Sequence, residues 1–300
     1  MNFKQLSRSE INPSKWNALI ERATYSHAYA TTWFLDEVCP SGWEALVWGD
    51  YSAVMPLPMG KVLFFKQTFT PFWIQQLGLF KEPGYAINTE KLHGFLENEY
   101  YLLDLCVFDA SDFKSEWMIQ ERGNYELSLE GNPKENYSKN LRRLIRRAGK
   151  NELYWEKSEN ASGLIQFFRK HKGTTISAYK DVDYDRLEKA IQKDILAGRG
   201  EIIIVKKGNK IVAMAFFQIV FGRATYLLGT SNEEGRQSGA MQFLMDVFIT
   251  NWTGKLSVLD FEGSVIPGII RFFKSFGASE KPYYRLKINR LPFPLNKMKA

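Results

Sequence analysis

The stretch EIIIVKKGNKIVAMAFFQIVFGRATYLLGTS, residues 201–231, decides the fold class. It contains three segments rich in β-branched and aromatic residues, separated by the turn signals KGN (207–209) and GR (222–223). Glycine and asparagine adopt the positive φ angles that tight hairpin turns require. We therefore predict a meander of three antiparallel strands.

Hydrophobic periodicity predicts the elements on both sides of this meander. Before it come a strand at 153–157 and helices at 163–172 and 184–198; after it come a helix with Ser238 as N-cap, a strand at 256–260, a helix at 266–276 and a strand at 283–289. The order is β-α-α-β-β-β-α-β-α-β. This order predicts an α/β fold with a mixed sheet.

The first half of the chain repeats this order of elements without repeating the sequence. Its candidates are a strand at 3–7, helices at 14–22, 31–38 and 88–99, a hairpin at 43–59 and an apolar strand at 100–108. Two copies joined near GNP (131–133) account for the length without a long structureless loop. We predict domains at 1–131 and 132–300, the second opening with a basic helix at 134–150.

Most of the net charge of +7 lies in that basic helix, where seven cations and one acid fall between Lys134 and Lys150. Its apolar residues recur at helical spacing and leave the cations on the other side. The predicted anion-binding residues are Arg142, Arg143, Arg146 and Arg147. Like charges at i, i+4 repel, so the helix face either is solvated or contacts phosphate of a nucleotide, a tRNA or an anionic lipid.

Composition argues against several other classes of protein. Cys39 and Cys106 each lie in an apolar context, which predicts buried free thiols in a reducing compartment. The three histidines are widely separated, so we predict no metal site. The longest apolar run, at 211–221, is shorter than the ~20 residues that span a bilayer. The sequence therefore predicts a cytoplasmic chain without a transmembrane segment, and it leaves the oligomeric state open.

Two carboxylates end the strand in VLDFEGSVIPGIIRFFKSFGA, residues 258–278. Strand alternation places Asp260 and Glu262 on the same side, where each raises the pKa of the other and one acts as a general base. The alternative is that Asp260 caps the turn and Glu262 pairs with a cation. Lys274, in the last turn of the next helix, either donates to a carbonyl oxygen or only complements the helix dipole.

The motifs DFEG (260–263) and FKSFG (273–277), with the basic NYSKNLRRLIRRAGK (136–150), resemble the Fem-type (FemAB/FemX-like) branch of the GNAT superfamily. The resemblance implies tandem duplicated GNAT-like (acyl-CoA N-acyltransferase) domains, each with a V-shaped opening between central strands. Peptidoglycan-bridge members of this branch transfer an amino acid from aminoacyl-tRNA. By match of motif, Phe273 and Lys274 lie at the transfer site.

A donor site is predicted in the loop EEGRQSGAM, residues 233–241. GNAT enzymes that use CoA bind its pyrophosphate at a helix N-terminus, through Arg or Gln, two residues, Gly, one residue, then Gly or Ala. Arg236 and Gly239 fit this pattern, with Ser238 between them, whereas Met241 departs from it. Acetyl-CoA or another acyl-CoA and aminoacyl-tRNA are therefore both candidate donors, and no cofactor is certain.

The function predicted from these features is transfer of an acyl or aminoacyl group onto an amine. The acceptor is a small molecule or a cell-wall precursor, in cell-wall or amino-sugar metabolism. The alternative is a non-catalytic GNAT-like module that binds nucleic acid or an anionic membrane surface through the basic helix.

Overall fold

Strands and helices alternate along the chain in the computed structural model, which describes residues 2–150, 152–172 and 179–298. The strands are β1 (Phe3–Ser7), β2 (Trp43–Trp48), β3 (Ala53–Val62), β4 (Phe65–Phe69), β5 (Phe80–Lys81), β6 (Leu102–Val107), β7 (Met118–Ser128), β8 (Leu153–Ser158), β9 (Gly200–Lys207), β10 (Lys210–Val220), β11 (Arg223–Ser231), β12 (Val258–Gly263) and β13 (Ser279–Asn289). The helices are α1 (Pro13–Arg22), α2 (Thr32–Val38), α3 (Thr89–Glu99), α4 (Lys139–Lys150), α5 (Ala161–His171), α6 (Asp181–Leu196), α7 (Glu233–Ser238), α8 (Ala240–Trp252), α9 (Pro267–Ser275) and α10 (Leu295–Met298).

The predicted meander is confirmed as β9, β10 and β11, which pair antiparallel in sequence order. Its turns use the left-handed region, with φ of 54° at Gly208 and of 53° and 72° at Phe221 and Gly222. The full sheet of this half has the order β8-β9-β10-β11-β12-β7. Only the β11–β12 pair of this sheet is parallel.

The other half forms a sheet with the same pattern. Its order is β1-β2-β3-β4-β6-β13, and β5 pairs with β3 outside this path. The β4–β6 pair is parallel and the other pairs are antiparallel. The duplication predicted from element order is therefore present in strand order and direction.

The compact units do not follow the predicted boundary at 131. One unit comprises 1–122 and 282–300, and the other comprises 123–281. The reason is strand pairing across the sequence, because β13 pairs with β6 and β7 pairs with β12. β7 therefore joins the second sheet although it precedes residue 131, and β13 joins the first sheet although it lies near the end of the chain.

Asparagine side chains begin four of the described helices by accepting a hydrogen bond from a first-turn amide. They are Asn12 for α1, Asn88 for α3, Asn160 for α5 and Asn232 for α7. The prediction of Ser238 as the N-cap of α8 is wrong. Gly239 occupies that position with φ of 77°, and the Ser238 hydroxyl donates instead to the Glu234 carbonyl at 2.8 Å.

The basic helix begins later than the predicted residue 134. A 3-10 turn covers Pro133–Asn136, and α4 starts at Lys139 after Ser138, whose Oγ accepts from the Leu141 amide at 3.2 Å. Proline fixes the turn that precedes the helix, and serine is a favoured N-cap. The helix buries Leu141 and Ala148 and leaves its arginines outside.

Helices bury apolar residues against the sheet of the unit 123–281. In one cluster α4, α8 and α9 cover β7, β12, β11 and β10 with apolar side chains. Outside this cluster α5 and α6 bury Leu164, Phe168 and Leu187 and pack on β9, β10 and β11. Phe217 of β10 stacks on Phe248 of α8 at 3.7 Å between ring centroids. Aromatic pairs of this kind stabilise a core beyond the area they bury.

Both cysteines are buried and free, as predicted. Burial raises the pKa of the Cys106 thiol, so the neutral form is favoured.

Among the helices that the structure describes, none combines the length and the apolar composition needed to cross a bilayer.

Candidate active site

A gap opens between the two parallel strands of the unit 123–281. Pairing between β11 and β12 covers three residue pairs and ends at Thr225 and Asp260. Beyond this point β11 runs on to Ser231 and β12 to Gly263. The two strands therefore leave backbone groups facing a space rather than a ladder partner.

A bulge interrupts β11 on one side of this gap. Phe216 of β10 pairs with Leu228, whereas Phe217 pairs with Tyr226, so Leu227 is the extra residue. A bulge leaves its extra residue outside the ladder and frequently adjoins an active site. The backbone N–H groups at Leu227 and Leu228 are therefore candidate hydrogen-bond donors at the gap.

A second bulge interrupts β12 on the other side. Asp260 pairs with Glu126 and Gly263 with Asn124, so two residues of β12 stand opposite one residue of β7. Glu262 is one of the two and has φ of 62°, a left-handed conformation that costs a non-glycine residue about 1 kcal/mol or more. Such strain occurs preferentially at functional sites.

Glu262 is the most perturbed carboxylate at this gap. Its side chain is half-buried, and no hydrogen bond or ion pair of its carboxylate is found among the described residues. Burial raises the pKa of Glu262 to about 8. A carboxylate with a pKa close to neutral pH is suited to accept a proton during catalysis.

Asp260 has a different environment, although the sequence predicts the two carboxylates as a pair. Its side chain is fully buried; Oδ2 accepts from the Arg223 guanidinium at 2.9 Å and Oδ1 accepts from the Glu262 amide at 2.8 Å. Arg223 also donates to Glu126 at 2.7 Å. The alternative in which Asp260 caps the turn is therefore the one found, while the bulge breaks the alternation that placed Asp260 and Glu262 together.

The FKSFG motif lies at the end of α9, beside β7. Phe273 is buried, with its ring centroid 5.0 Å from that of Phe261 and 6.0 Å from that of Tyr125. Lys274 is half-exposed; its Nζ lies 3.4 Å from Glu280 Oε2 and 5.4 Å from the Tyr125 ring centroid. Phe273 therefore acts through packing, and Lys274 is the polar group that the motif presents.

Gly277 has a structural role in the same motif. Its φ is 88°, and an added Cβ would lie 2.4 Å from Cβ of Asn136. Only glycine permits both this backbone conformation and this close approach.

Asn124 is a candidate that the sequence analysis missed. It lies on β7 opposite Gly263, next to the bulge that holds Glu262. The residue is 1% exposed, and neither atom of its side-chain amide has a hydrogen-bond partner in the described part of the chain. Leaving a buried amide unpaired costs about 1–3 kcal/mol, which is typical of a group that serves a ligand. Polar residues in the segment GNYEL (123–127) were the signal.

The residues predicted to bind a CoA pyrophosphate are engaged within the protein. Arg236 pairs with Glu233 at 2.7 Å and donates to the Ser231 carbonyl at 2.9 Å. Gly239 begins α8, but an added Cβ there would lie 3.9 Å from Ala148 of α4, so α4 lies across this helix terminus. The Arg236 guanidinium and the Ser238 hydroxyl are thus already engaged within the protein.

The four predicted anion-binding arginines divide into two pairs. Arg142 and Arg146 line a cavity of about 440 Å³ together with Asn132, Lys134, Glu135, Tyr137, Ile145 and Asp246. The Arg142 guanidinium is held by the Glu135 carbonyl at 2.7 Å, and Lys134 pairs with Asp246 at 2.8 Å. Arg143 donates to Asn140, and Arg143 and Arg147 do not line this cavity.

The corresponding gap in the unit 1–122 with 282–300 is closed. There β4 and β6 pair from Gln67 to Phe69, and Leu77 then adds a parallel bridge to Val107. The Leu77 amide donates to the Cys106 carbonyl at 2.8 Å. Because local chain segments satisfy this strand edge, the candidate site is assigned to the unit 123–281.

Comparisons with known proteins agree with this architecture. Residues 135–261 match the family model described as an acetyltransferase (GNAT) domain. A search of curated protein sequences found no significant match.

Solved structures match over nearly the whole chain at low sequence identity. The crystal structure titled FemX aligns with a TM-score of 0.67 at 15% identity, covering 98% of this chain and 99% of that one. The C-terminal domain of a putative lysylphosphatidylglycerol synthetase from Agrobacterium fabrum aligns with a TM-score of 0.57 at 12% identity, covering 94% and 95%. A tandem GNAT protein from the clavulanic acid biosynthesis pathway aligns with a TM-score of 0.56 at 10% identity, covering 97% and 99%. The chain therefore has the tandem, Fem-like fold of the GNAT superfamily.

Proposed function

We propose that this protein is an acyl- or aminoacyltransferase that forms an amide on a primary amine. The observation that carries the proposal is Glu262, a carboxylate with no partner among the described residues, held in a strained conformation where β11 and β12 diverge. The names of two structural relatives, FemX and a lysylphosphatidylglycerol synthetase, support aminoacyl transfer in particular.

Glu262 is the proposed general base. A primary amine is mostly protonated at neutral pH and attacks a carbonyl carbon only after losing a proton. With its pKa raised to about 8, Glu262 accepts a proton more readily than an ordinary carboxylate does. The nitrogen then attacks, the C–N bond forms, and the C–O or C–S bond of the donor breaks.

The developing oxyanion needs hydrogen-bond donors placed before reaction. The bulge at Leu227 supplies candidate backbone N–H groups on one side of the gap. Lys274 is the proposed cation. The ammonium loses one proton to Glu262 before attack and a second after the C–N bond forms; one of the two goes to the leaving oxygen or sulfur, and the other is released to solvent. Asn124 is proposed to bind an amide or carbonyl group of the substrate.

The donor is proposed to be an aminoacyl ester on tRNA rather than an acyl-CoA. The contacts of Arg236 and Ser238, and the position of α4 beside Gly239, do not fit a pyrophosphate at that turn. The acceptor is proposed to be an amine on a small molecule or a cell-wall precursor.

A donor panel tests this function. The full-length protein is incubated with labelled aminoacyl-tRNAs or acyl-CoAs and a set of primary amines, and amide products are detected by mass spectrometry. We expect product from an aminoacyl-tRNA, formed on the order of 100-fold more slowly after Glu262→Gln substitution. Product from acyl-CoA alone would contradict the proposal that the donor is an aminoacyl-tRNA. Equal turnover by the Glu262→Gln protein would contradict the proposal that Glu262 is the general base.

Lys274→Met is expected to lower turnover by on the order of 100-fold, because one oxyanion donor is lost. The fold should persist, since an exposed ion pair such as Lys274–Glu280 contributes about 0–1 kcal/mol. Turnover and the melting temperature are measured together. Lys281→Met, at an exposed lysine of β13, is the matched control. Normal turnover in folded Lys274→Met protein would show that Lys274 is only a helix-end cation.

The basic cavity beside α4 favours a second function, binding of a polyanion. Arg142 and Arg146 bring two cations to a concave surface, and the third cation of its lining, Lys134, is paired with Asp246. A phosphate-sized anion binds most tightly where several cations converge, because each cation contributes a charge-assisted hydrogen bond. This function is compatible with a tRNA-linked donor and also with a non-catalytic module.

Two double variants that remove the same charge distinguish binding in the cavity from non-specific electrostatic attraction to the basic helix. Arg142→Met/Arg146→Met removes cavity cations, whereas Arg143→Met/Arg147→Met removes cations outside it. We expect the first to weaken binding of a single-stranded RNA by about tenfold more than the second. The salt dependence of the binding constant, as a log–log slope, should fall by about 0.7 for each phosphate that the variant no longer neutralises. Equal effects of the two variants would show a solvated basic face without a defined site.

A further inference from the structure

The hairpin between β3 and β4 carries large apolar side chains at its tip. Val62 pairs with Phe65, so Leu63 and Phe64 form a two-residue turn. Leu63 is 70% exposed and Phe64 is 78% exposed. Two adjacent apolar side chains this far out of the fold contribute little to its core.

The turn conformation does not explain these residues. Leu63 has φ of 56°, a position at which two-residue hairpins favour glycine or asparagine. Leucine there is strained, and an exposed leucine in water gains nothing from burial that would offset the strain. The presence of leucine at this position therefore indicates that the tip is buried when the protein binds a partner.

Aromatic packing holds the tip in place. The ring centroids of Phe64 and Phe65 are 4.3 Å apart, and those of Phe65 and Tyr101 are 4.6 Å apart. The Arg290 guanidinium lies 5.7 Å from the Tyr101 centroid. The tip is thus a preorganised projection, which loses little conformational entropy on insertion.

Cations surround this projection. Lys61 and Lys66 flank the tip on the two strands, and both are exposed. Lys66 also pairs with Glu99, whereas Lys61 has no ion pair within the described residues. Lysine stems lie along apolar surface while their ammonium groups reach a polar layer. With Arg290 nearby, the charge around the tip is complementary to an anionic surface.

We propose that the hairpin tip, residues 61–66, inserts into the interface of an anionic lipid bilayer. A convex pair of apolar side chains between two lysines matches the layers of a membrane interface, with apolar groups at the acyl boundary and cations at the headgroups. The surface is distinct from the basic helix α4 and from the gap between β11 and β12.

Vesicle cosedimentation of the full-length protein tests the proposal. The vesicles contain phosphatidylcholine alone or with phosphatidylglycerol. Leu63→Asn/Phe64→Ser removes the apolar tip, and asparagine suits the positive φ, so the variant should remain folded. We expect it to lower partitioning by about tenfold or more, because each fully buried Leu or Phe contributes at least about a tenfold effect.

Two further variants distinguish the sources of binding. Lys61→Gln/Lys66→Gln should weaken partitioning by about 25-fold, and only when phosphatidylglycerol is present, because each cation contributes about fivefold. Leu196→Ser is the matched control, since Leu196 is 77% exposed at the end of α6, and it should change nothing. The proposal is overturned if the wild-type protein does not bind the anionic vesicles. It is equally overturned if the tip variant binds as well as wild type, or if light scattering shows that the tip mediates self-association instead.

Discussion

Glu262→Gln is expected to lower the rate of acyl transfer by on the order of 100-fold or more while the protein stays folded. Glutamine has nearly the same shape and can fill the same space at the β12 bulge, but it cannot accept a proton from the amine. General bases contribute roughly 10²–10⁴-fold to rate. Single-turnover measurement with saturating donor isolates this step from substrate binding.

The pH dependence of turnover gives a second signature. Only the deprotonated form of Glu262 acts as a base, and its pKa is about 8. Deprotonation of the amine raises the rates of both proteins with pH, so the signature of Glu262 is the ratio of the wild-type rate to the residual Glu262→Gln rate. This ratio should rise with pH through about 8 and level off above it. A ratio that does not change with pH would assign the titration to another group.

The free energy of unfolding should also depend on protonation of Glu262. The direction of this dependence distinguishes loss of the base from loss of folding. An unfolded glutamate loses its proton near pH 4.3, whereas folded Glu262 keeps it up to about pH 8. Between these values the native state binds more protons, so the free energy of unfolding falls as pH rises. Glu262→Gln removes this dependence. Relative to wild type, the variant should gain stability on going from pH 5 to pH 9, by on the order of 1 kcal/mol or more.

Urea unfolding at both pH values measures this difference. Glu130→Gln, at an exposed residue beyond the end of β7, is the control. If Glu262→Gln lost both turnover and stability at pH 9, the residue would be part of the framework and not the base.

The meander and the duplicated element order were predictable because their signals are local. Turn glycines at Gly208 and Gly222, together with β-branched runs between them, specify three neighbouring strands without any distant contact. The caps at Asn88 and the other asparagines are local in the same way. The prediction of Ser238 as an N-cap is wrong because serine is a good cap residue in general, whereas here Gly239, in the left-handed region, separates α7 from α8.

The candidate site was only partly predictable because it depends on pairings between distant segments. Glu262 was identified from its place at a strand end. Its isolation from Asp260 depends on the β12 bulge, which appears only when β12 pairs with residues of β7. The sequence alone predicts no strand at Met118–Ser128, so it places neither Asn124 nor Glu126. The roles of Glu262, Lys274 and Asn124 stay predictions.

Arg223 illustrates the same limit, because the sequence predicts only that it lies in a turn. It lies on β11, directly after the turn, and reaches Asp260 on β12 and Glu126 on β7. The two carboxylates are neighbours in register. One arginine thus neutralises two acids inside the sheet, and this arrangement requires all three strands.

Arg223→Met is therefore expected to destabilise the protein by about 3–5 kcal/mol, because it removes the guanidinium that pairs with the buried Asp260 and the largely buried Glu126. Arg22→Met, which breaks the exposed Arg22–Glu82 pair at 2.9 Å, should cost only about 0–1 kcal/mol. Urea unfolding of both variants measures this difference.

A triple variant, Arg223→Met/Glu126→Gln/Asp260→Asn, separates charge from packing. It removes the charges but keeps side chains of similar volume, and the carboxamide oxygen introduced at position 260 can still accept from the Glu262 amide, as Asp260 does at 2.8 Å. Removing the two negative charges also removes the cost of leaving them without their arginine, so part of the lost stability should return. Because this hydrogen bond supports the strained backbone of Glu262, the triple variant should keep its turnover. A triple variant as unstable as Arg223→Met would show that shape, rather than charge, makes Arg223 necessary.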